Sequence, residues 1–280
     1  MSNKTLELIA KLLAAAEGAA TEAEADRFND QAQQIAARNS IDVAHALHLK
    51  RSKESTVPIQ RGIVIGVPGT EGLKTLVNLY LGVAAANDIR CLIAQNSTRV
   101  YAIGYEEDID VSEALYGSLV TQMTGFVTAY RKEDVWKKEE VWAEGWYSTR
   151  RQMQIPGRWK QINWRAARLN FQQGFAERIA GRLFEVTYET RAQRIKEEKE
   201  QAALSGADDS NPGTALVLAS KGDQVRKAYR ERTKGMRSHW DGSLGGQRSH
   251  KARRAGASAA ENARLGSETP LPGARKGIEQ

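Results

Sequence analysis

Three observations predict an α+β fold. Apolar residues recur at helical spacing in several long windows, among them 73–84, 109–130 and 164–186. Short β-branched runs at 61–67, 89–94 and 99–105 are bounded by turn residues. After Lys234 the apolar content collapses into Gly, Ser, Ala and Arg. Together they give an N-terminal helical hairpin, a small mixed sheet with packed helices, a long helix and a flexible basic C-terminal tail.

The hairpin occupies residues 1–50. Leu6, Ile9, Leu12, Leu13 and Ala16 form one apolar stripe, and Gly18 ends it. Thr21-Glu-Ala-Glu24 has the capping-box pattern, in which the hydroxyl and the carboxylate satisfy each other's helix-end amides. Ala25, Phe28, Ala32 and Ile35 stripe the second helix, and Ile41–Leu49 suits a short third one. A central domain follows at 60–204. Gly66-Val-Pro-Gly-Thr-Glu-Gly72 is a turn between the first strand and a helix carrying Leu73, Leu76, Val77, Tyr80, Leu81 and Ala84. Gln95–Thr98 links the next two strands as a hairpin. Residues 131–163 are a tryptophan-rich insert with a turn at Pro156-Gly157. From Trp164, the residues Ala167, Phe171, Phe175, Ile179, Leu183 and Val186 share one helix face, and the charged stretch 191–203 projects into solvent. Residues 205–213 form a linker and 214–234 a docking segment, while 235–280 lack the apolar content to fold alone. Within that tail the Ala-rich stretch 252–265 suits a helix formed on a partner.

One resemblance attaches to these residues. Leu6-x-x-Ile9-x-x-Leu12-Leu13-Ala14-x-Ala16-Glu17, then Thr21-Glu-Ala-Glu24-Ala25, Gln31-Ala-Gln33 and Asn39-Ser-Ile41, resemble the actinobacterial and phage family of domain of unknown function 2786 over roughly residues 5–45. Residues 73–188 are similar to the second domain that such proteins often carry, through Ala84-x-x-Asn87-x-x-Arg90-Cys91, Gly104-Tyr-Glu-x-Asp108, Ala114-Leu-Tyr116-x-x-Leu119 and Arg165-x-x-x-x-x-Phe171-x-x-Gly174-Phe175-Ala176. The resemblance implies a helical hairpin, a second α+β domain and a basic Gly/Ala-rich tail. It supplies no catalytic residue.

Composition bounds the function. The 280 residues are 41% hydrophobic with a mean hydropathy of −0.54, and no apolar run reaches membrane-spanning length. Without a signal-peptide pattern at the N-terminus, the expected location is cytoplasmic. The single cysteine, Cys91, lies in a strand pattern and reads as a buried small hydrophobe. Net charge is +7, and residues 221–280 hold 14 Lys/Arg against 6 Asp/Glu, so the basic excess sits in the tail. The turn at 66–75 has five residues between its outer glycines, and Leu73 separates Gly72 from Lys74, so it departs from a phosphate-binding loop. His45 and His48 lack a third ligand, and His239 and His250 stand apart. Glu106, Glu107, Asp108 and Asp110 favour the start of a helix over a divalent-ion site. No catalytic residue, metal ligand or cofactor is assigned.

Five of the six tryptophans, Trp136, Trp142, Trp146, Trp159 and Trp164, fall in one basic window. Aromatic faces among cations suit stacking on bases and neutralising phosphates; they equally suit a small core with a charged rim. The nucleic-acid reading assigns stacking to Trp146, Tyr147 and Trp159, with phosphate contacts from Arg150, Arg151, Arg158 and Lys160. It adds a tail set of Arg230, Arg232, Lys234, Arg237, Arg248, Lys251, Arg253 and Arg254. The expected function is non-enzymatic association with DNA or RNA. The alternatives are a protein-interaction adaptor working through the N-terminal hairpin and a divalent-metal hydrolase.

Overall fold

A computed structural model describes residues 57–150, 152–205, 214–236, 240–244 and 247–265, together with Leu8, Lys11, Leu12, Ala15, Glu24, Arg27, Phe28, Gln31 and Ile35. Those nine N-terminal residues are all helical, and Leu12 and Ile35 pack against the core. The proposed third helix at 41–49, residues 206–213 of the linker 205–213, His45, His48 and His239 lie outside the described residues, whereas Ser205 is helical.

Strand β1 (Ile59–Val64) leads through the glycine turn into helix α1 (Leu73–Ala86); β2 (Arg90–Ile93), β3 (Arg99–Gly104) and helix α2 (Glu106–Lys132) follow. The three strands form an antiparallel sheet in the order β1-β3-β2. Residues directly opposite share a face. The register therefore aligns Ile63, Val100 and Ile93 in one row and Arg61, Ala102 and Cys91 in the next. Ile63, Val100 and Ala102 are wholly buried in one cluster with Val77, Tyr80 and Val83 of α1 and with Ile109, Leu119 and Met123 of α2. The α+β expectation holds, and both the central sheet and the smaller ones are antiparallel.

The tryptophan-rich insert is a β-ribbon. A short 3-10 turn (Val135–Lys138) precedes β4 (Glu140–Ala143) and β5 (Trp146–Ser148), which return as β6 (Met153–Ile155) and β7 (Arg158–Gln161). β4 pairs with β7 and β5 with β6, both antiparallel. The ribbon breaks between the pairs at Gly145 and Gly157. A Cβ on Gly145 would meet the backbone of Ile155 and Gly157, and one on Gly157 would meet the Trp142 ring.

Helix α3 (Trp164–Ser205) has 42 residues, a length of about 63 Å at 1.5 Å per residue. Asn163 starts it, its side chain accepting from the Ala166 amide at 2.8 Å. Ala167, Phe171, Phe175, Ile179 and Leu183 are buried as the spacing predicts. Val186 departs from the prediction and is exposed, as are Phe184 and Tyr188. The reason is packing: helix α5 (His250–Glu261), which covers α3, ends opposite Arg178 and Arg182. The polar stretch 191–203 continues α3 without a break. The docking segment is helix α4 (Thr214–Thr233), with Val225 and Ala228 buried. Tyr105 Oη donates to Gln224 Oε1 at 2.6 Å, and Lys221 lies 5.0 Å from the Tyr105 ring centroid.

The tail corrects the sequence expectation. Within 235–280, residues 250–261 form α5, with Ala252 and Ala260 buried in the common core and Gly256 buried beside them. The partner anticipated for the Ala-rich stretch is α3 of the same chain. A Cβ on Gly256 would overlap the Phe171 carbonyl, and one on Gly174 would overlap the Arg253 carbonyl. The two backbones thus touch where neither has a side chain. Apolar content alone misses this contact, because small residues bury area by letting backbones approach rather than by supplying large side chains. Arg182 Nη1 donates to the Ala260 and Ala263 carbonyls at the C-terminal end of α5, and Gln122 exchanges two hydrogen bonds with the Arg264 backbone. Upstream, Trp240 Nε1 donates to Ser97 Oγ at 3.0 Å and Lys74 Nζ donates to the Ser243 carbonyl at 2.7 Å.

The close approach sets the sign of a substitution. In a helix interior, Gly→Ala gains about 1 kcal/mol from propensity. Gly222 of α4 has open space around its missing Cβ, so Gly222→Ala stabilises by roughly that amount. Gly256→Ala is expected to destabilise by about 1–3 kcal/mol in urea unfolding, because overlap with the Phe171 carbonyl outweighs propensity.

Candidate nucleic-acid interface

The five clustered tryptophans divide into two sets. Trp136 and Trp164 are half-buried and pack on the core, with ring centroids 5.3 Å apart. Tyr130 stacks on Phe171 at 4.8 Å and lies 6.3 Å from Trp164, while Arg131 covers the Trp164 ring. These two tryptophans anchor the ribbon's base to α2 and α3. Trp142, Trp146 and Trp159 are instead 52%, 58% and 64% exposed, and Tyr147 is 57% exposed. The window therefore contains both core-anchoring and exposed tryptophans.

Register decides what surrounds the exposed rings. Trp142 lies directly opposite Trp159, and their rings meet edge-to-face at 5.8 Å. Glu140 and Gln161, two residues from each, share that face. Val141, opposite Lys160, is buried on the other face, so Lys160 and Arg158 stand on the side of the ribbon away from the tryptophan pair. Trp159 and its neighbours Arg158 and Lys160 therefore do not form one surface. Strand alternation separates neighbours that a one-dimensional window joins.

The ribbon's tryptophan face borders an open groove of about 720 Å³, lined by Lys137, Lys138, Glu140, Trp159, Gln161 and Lys251. Sequence reasoning named Trp159 and Lys251 and missed the rest. The pair Lys137-Lys138 lies within the tryptophan window in sequence, but only the folded groove places it with Trp159. Lys137 Nζ is paired with Asp134 at 2.7 Å, and its backbone carbonyl accepts from the Gln161 amide. Lys138 and Lys251 make no ion pair among the described residues.

Lys251 reaches this place because the N-terminus of α5 is fixed to the ribbon's base. Ser249 caps α5 by accepting from the Ala252 amide, and its hydroxyl donates to the buried Glu139 at 2.6 Å. Asn170 of α3 completes the joint, accepting from the Ser249 amide and donating to the Gln247 carbonyl. A carboxylate at a helix N-terminus also suits the helix dipole.

The remaining predicted residues scatter. Arg248 and Arg254 are exposed near the start of α5. Arg253 is paired with Glu177 at 3.2 Å and serves the α3–α5 contact. Arg230 and Lys234 are exposed around the end of α4, where Arg232 bonds the Ala228 carbonyl. Arg150 and Tyr147 sit at the ribbon tip. Arg151 and Arg237 lie outside the described residues.

The other candidate chemistries resolve locally. Lys74 is held by Ser243 and Asp241, and no phosphate loop forms at Gly66–Gly72. Burial pushes the Cys91 thiol up to about 12, so it is not a thiolate near neutral pH. Glu106, Glu107 and Asp108 form the first turn of α2. Arg61 lies among the carboxylates, 3.0 Å from Glu106 and 3.9 Å from Glu113, and also contacts Asp110. No group of three or more metal-ligating side chains occurs among the described residues. No helix among them is long and apolar enough to cross a membrane.

Residues 4–43 match a family described as Protein of unknown function (DUF2786). No curated protein and no solved structure matches the chain.

Two outcomes follow from this geometry. Ser249→Ala removes a helix cap and leaves Glu139 Oε1 without its donor, so unfolding should show a loss of about 1–2 kcal/mol. Glu113 is 1% exposed with neither oxygen hydrogen-bonded, and burial pushes its carboxyl up to about 7 from an ordinary 4.5. The unfolded chain then ionises first, so this group's contribution to stability falls as pH rises from about 4.5 to about 7. Thermal melts across that range should show a flatter pH profile for Glu113→Gln than for the parent.

Proposed function

We propose that the protein is a non-enzymatic nucleic-acid-associated accessory factor that binds through the groove between the β-ribbon and the N-terminus of α5. One observation carries this reading: Lys251 of the tail lines the same groove as Lys137, Lys138 and Trp159 of the window. Cations from segments more than 100 residues apart in sequence converge beside an exposed aromatic face. That combination suits a ligand with anionic and π-faced parts. Arg248 and Arg254, three residues to either side of Lys251 in sequence, are also exposed.

The resemblance of the N-terminal segment to an actinobacterial and phage family supports a bacterial or phage setting, and the cytoplasmic location remains part of the proposal. The same resemblance supports a second domain shared with that family. The N-terminal hairpin remains the surface proposed for a protein partner.

Truncation of the tail is an unsuitable test, since α5 belongs to the core. Charge reversal is better. Lys138→Glu and Lys251→Glu should each weaken binding to labelled DNA or RNA in fluorescence anisotropy. Each should reduce the slope of log K against log salt by roughly 0.7–0.9 per lost phosphate contact. Slopes and affinities equal to the parent's would remove the groove from the binding site.

A further inference from the structure

Resting on the nucleic-acid reading of the groove, we infer that its ligand is single-stranded nucleic acid, with an unpaired base stacked on Trp159 and the flanking phosphates held by Lys138 and Lys251. The groove sets Lys137, Lys138 and Lys251 beside Trp159, Glu140 and Gln161 of the ribbon's tryptophan face. Cations for a phosphate backbone and an exposed ring for a base thus line one open groove.

A duplex fits this lining poorly. Each of its grooves has phosphates on both rims, and the Glu140 carboxylate within the same lining repels phosphate. Its base faces are covered by neighbouring pairs, and a ribbon reading it must offer polar side chains to base edges. Here the groove offers an indole ring instead, that of Trp159, which is 64% exposed. A single strand has the complementary structure: a phosphate edge for the lysines, free π-faces for the ring, and base edges that donate to Glu140 or pair with Gln161.

The stacking surface is also held in place before any ligand arrives. Trp142 meets Trp159 edge-to-face, and Trp142 itself packs where Gly157 has no Cβ. Trp159 therefore presents its ring without being buried by its neighbour, and little side-chain freedom is left to lose on binding.

The test compares one labelled single strand lacking self-complementarity with the duplex made by annealing its complement, at equal salt. The probes meet the parent chain, Trp159→Ala and Trp159→Phe. Anisotropy should show at least ~10-fold tighter binding of the single strand, with quenching of tryptophan emission. Trp159→Ala should weaken the single strand by about 5- to 150-fold, the range for loss of one base–aromatic stack. It should leave the duplex affinity unchanged, and Trp159→Phe should recover part of the loss. The thermal midpoint of each variant should match the parent's, since the ring is 64% exposed. Equal affinity for the two probes, or an alanine variant that weakens both alike, would overturn the single-strand inference while leaving nucleic-acid binding intact. No binding of either probe would overturn the underlying reading as well.

Discussion

The contact on which the architecture depends is the close approach of α3 and α5 at Gly174 and Gly256. Each glycine faces the other helix's backbone, leaving no room for a methyl group. Ala252 and Ala260 extend the small-residue face by one turn in each direction, and Phe171 and Phe175 fill the core beneath it. Charge pairs line the outside, Arg253 with Glu177 and Arg178 with Glu261. Exposed pairs of this kind add little individually. The backbone contacts of Gly256 with Phe171 and of Gly174 with Arg253 fix how the helices meet.

From that contact the groove follows. With α5 seated, its capping residue Ser249 lies against Glu139, where the ribbon begins. Trp136 and Trp164 anchor the same junction, their rings tilted against each other and Trp164 against Tyr130, which stacks on Phe171. The ribbon leaves the body with its tryptophan face beside Lys251. A basic tail without the small-residue face would supply the same charge with no fixed position. The ribbon without α5 would keep its rings but lose the opposing cation.

Much of the fold was legible in the sequence because its signals were periodic. The stripe from Ala167 to Leu183 and the β-branched runs on either side of Gln95–Thr98 appear close to where the pattern put them. Two parts were not legible, for different physical reasons. Helix α5 has high Ala and Gly content, which reads as low hydrophobicity although it buries through backbone proximity. In the ribbon, Trp142, Trp146 and Trp159 are exposed and Trp136 and Trp164 anchor the body, and no property of the residue type separates them. Their roles are set by tertiary position and, for Trp142, Trp146 and Trp159, by strand pairing, which a single sequence does not encode locally. Val186 shows the converse: it fits the helical stripe but stands beyond the end of α5, where nothing covers it.

The central claim is that the ribbon and the start of α5 act as one surface. Amide hydrogen exchange on the full chain, with and without a saturating oligonucleotide, tests it most directly. The account predicts added protection in three separate stretches together, 137–142, 158–161 and 248–254, with little change in the β2–β3 hairpin. Protection confined to one of those stretches, or spread over the β2–β3 hairpin instead, would contradict it.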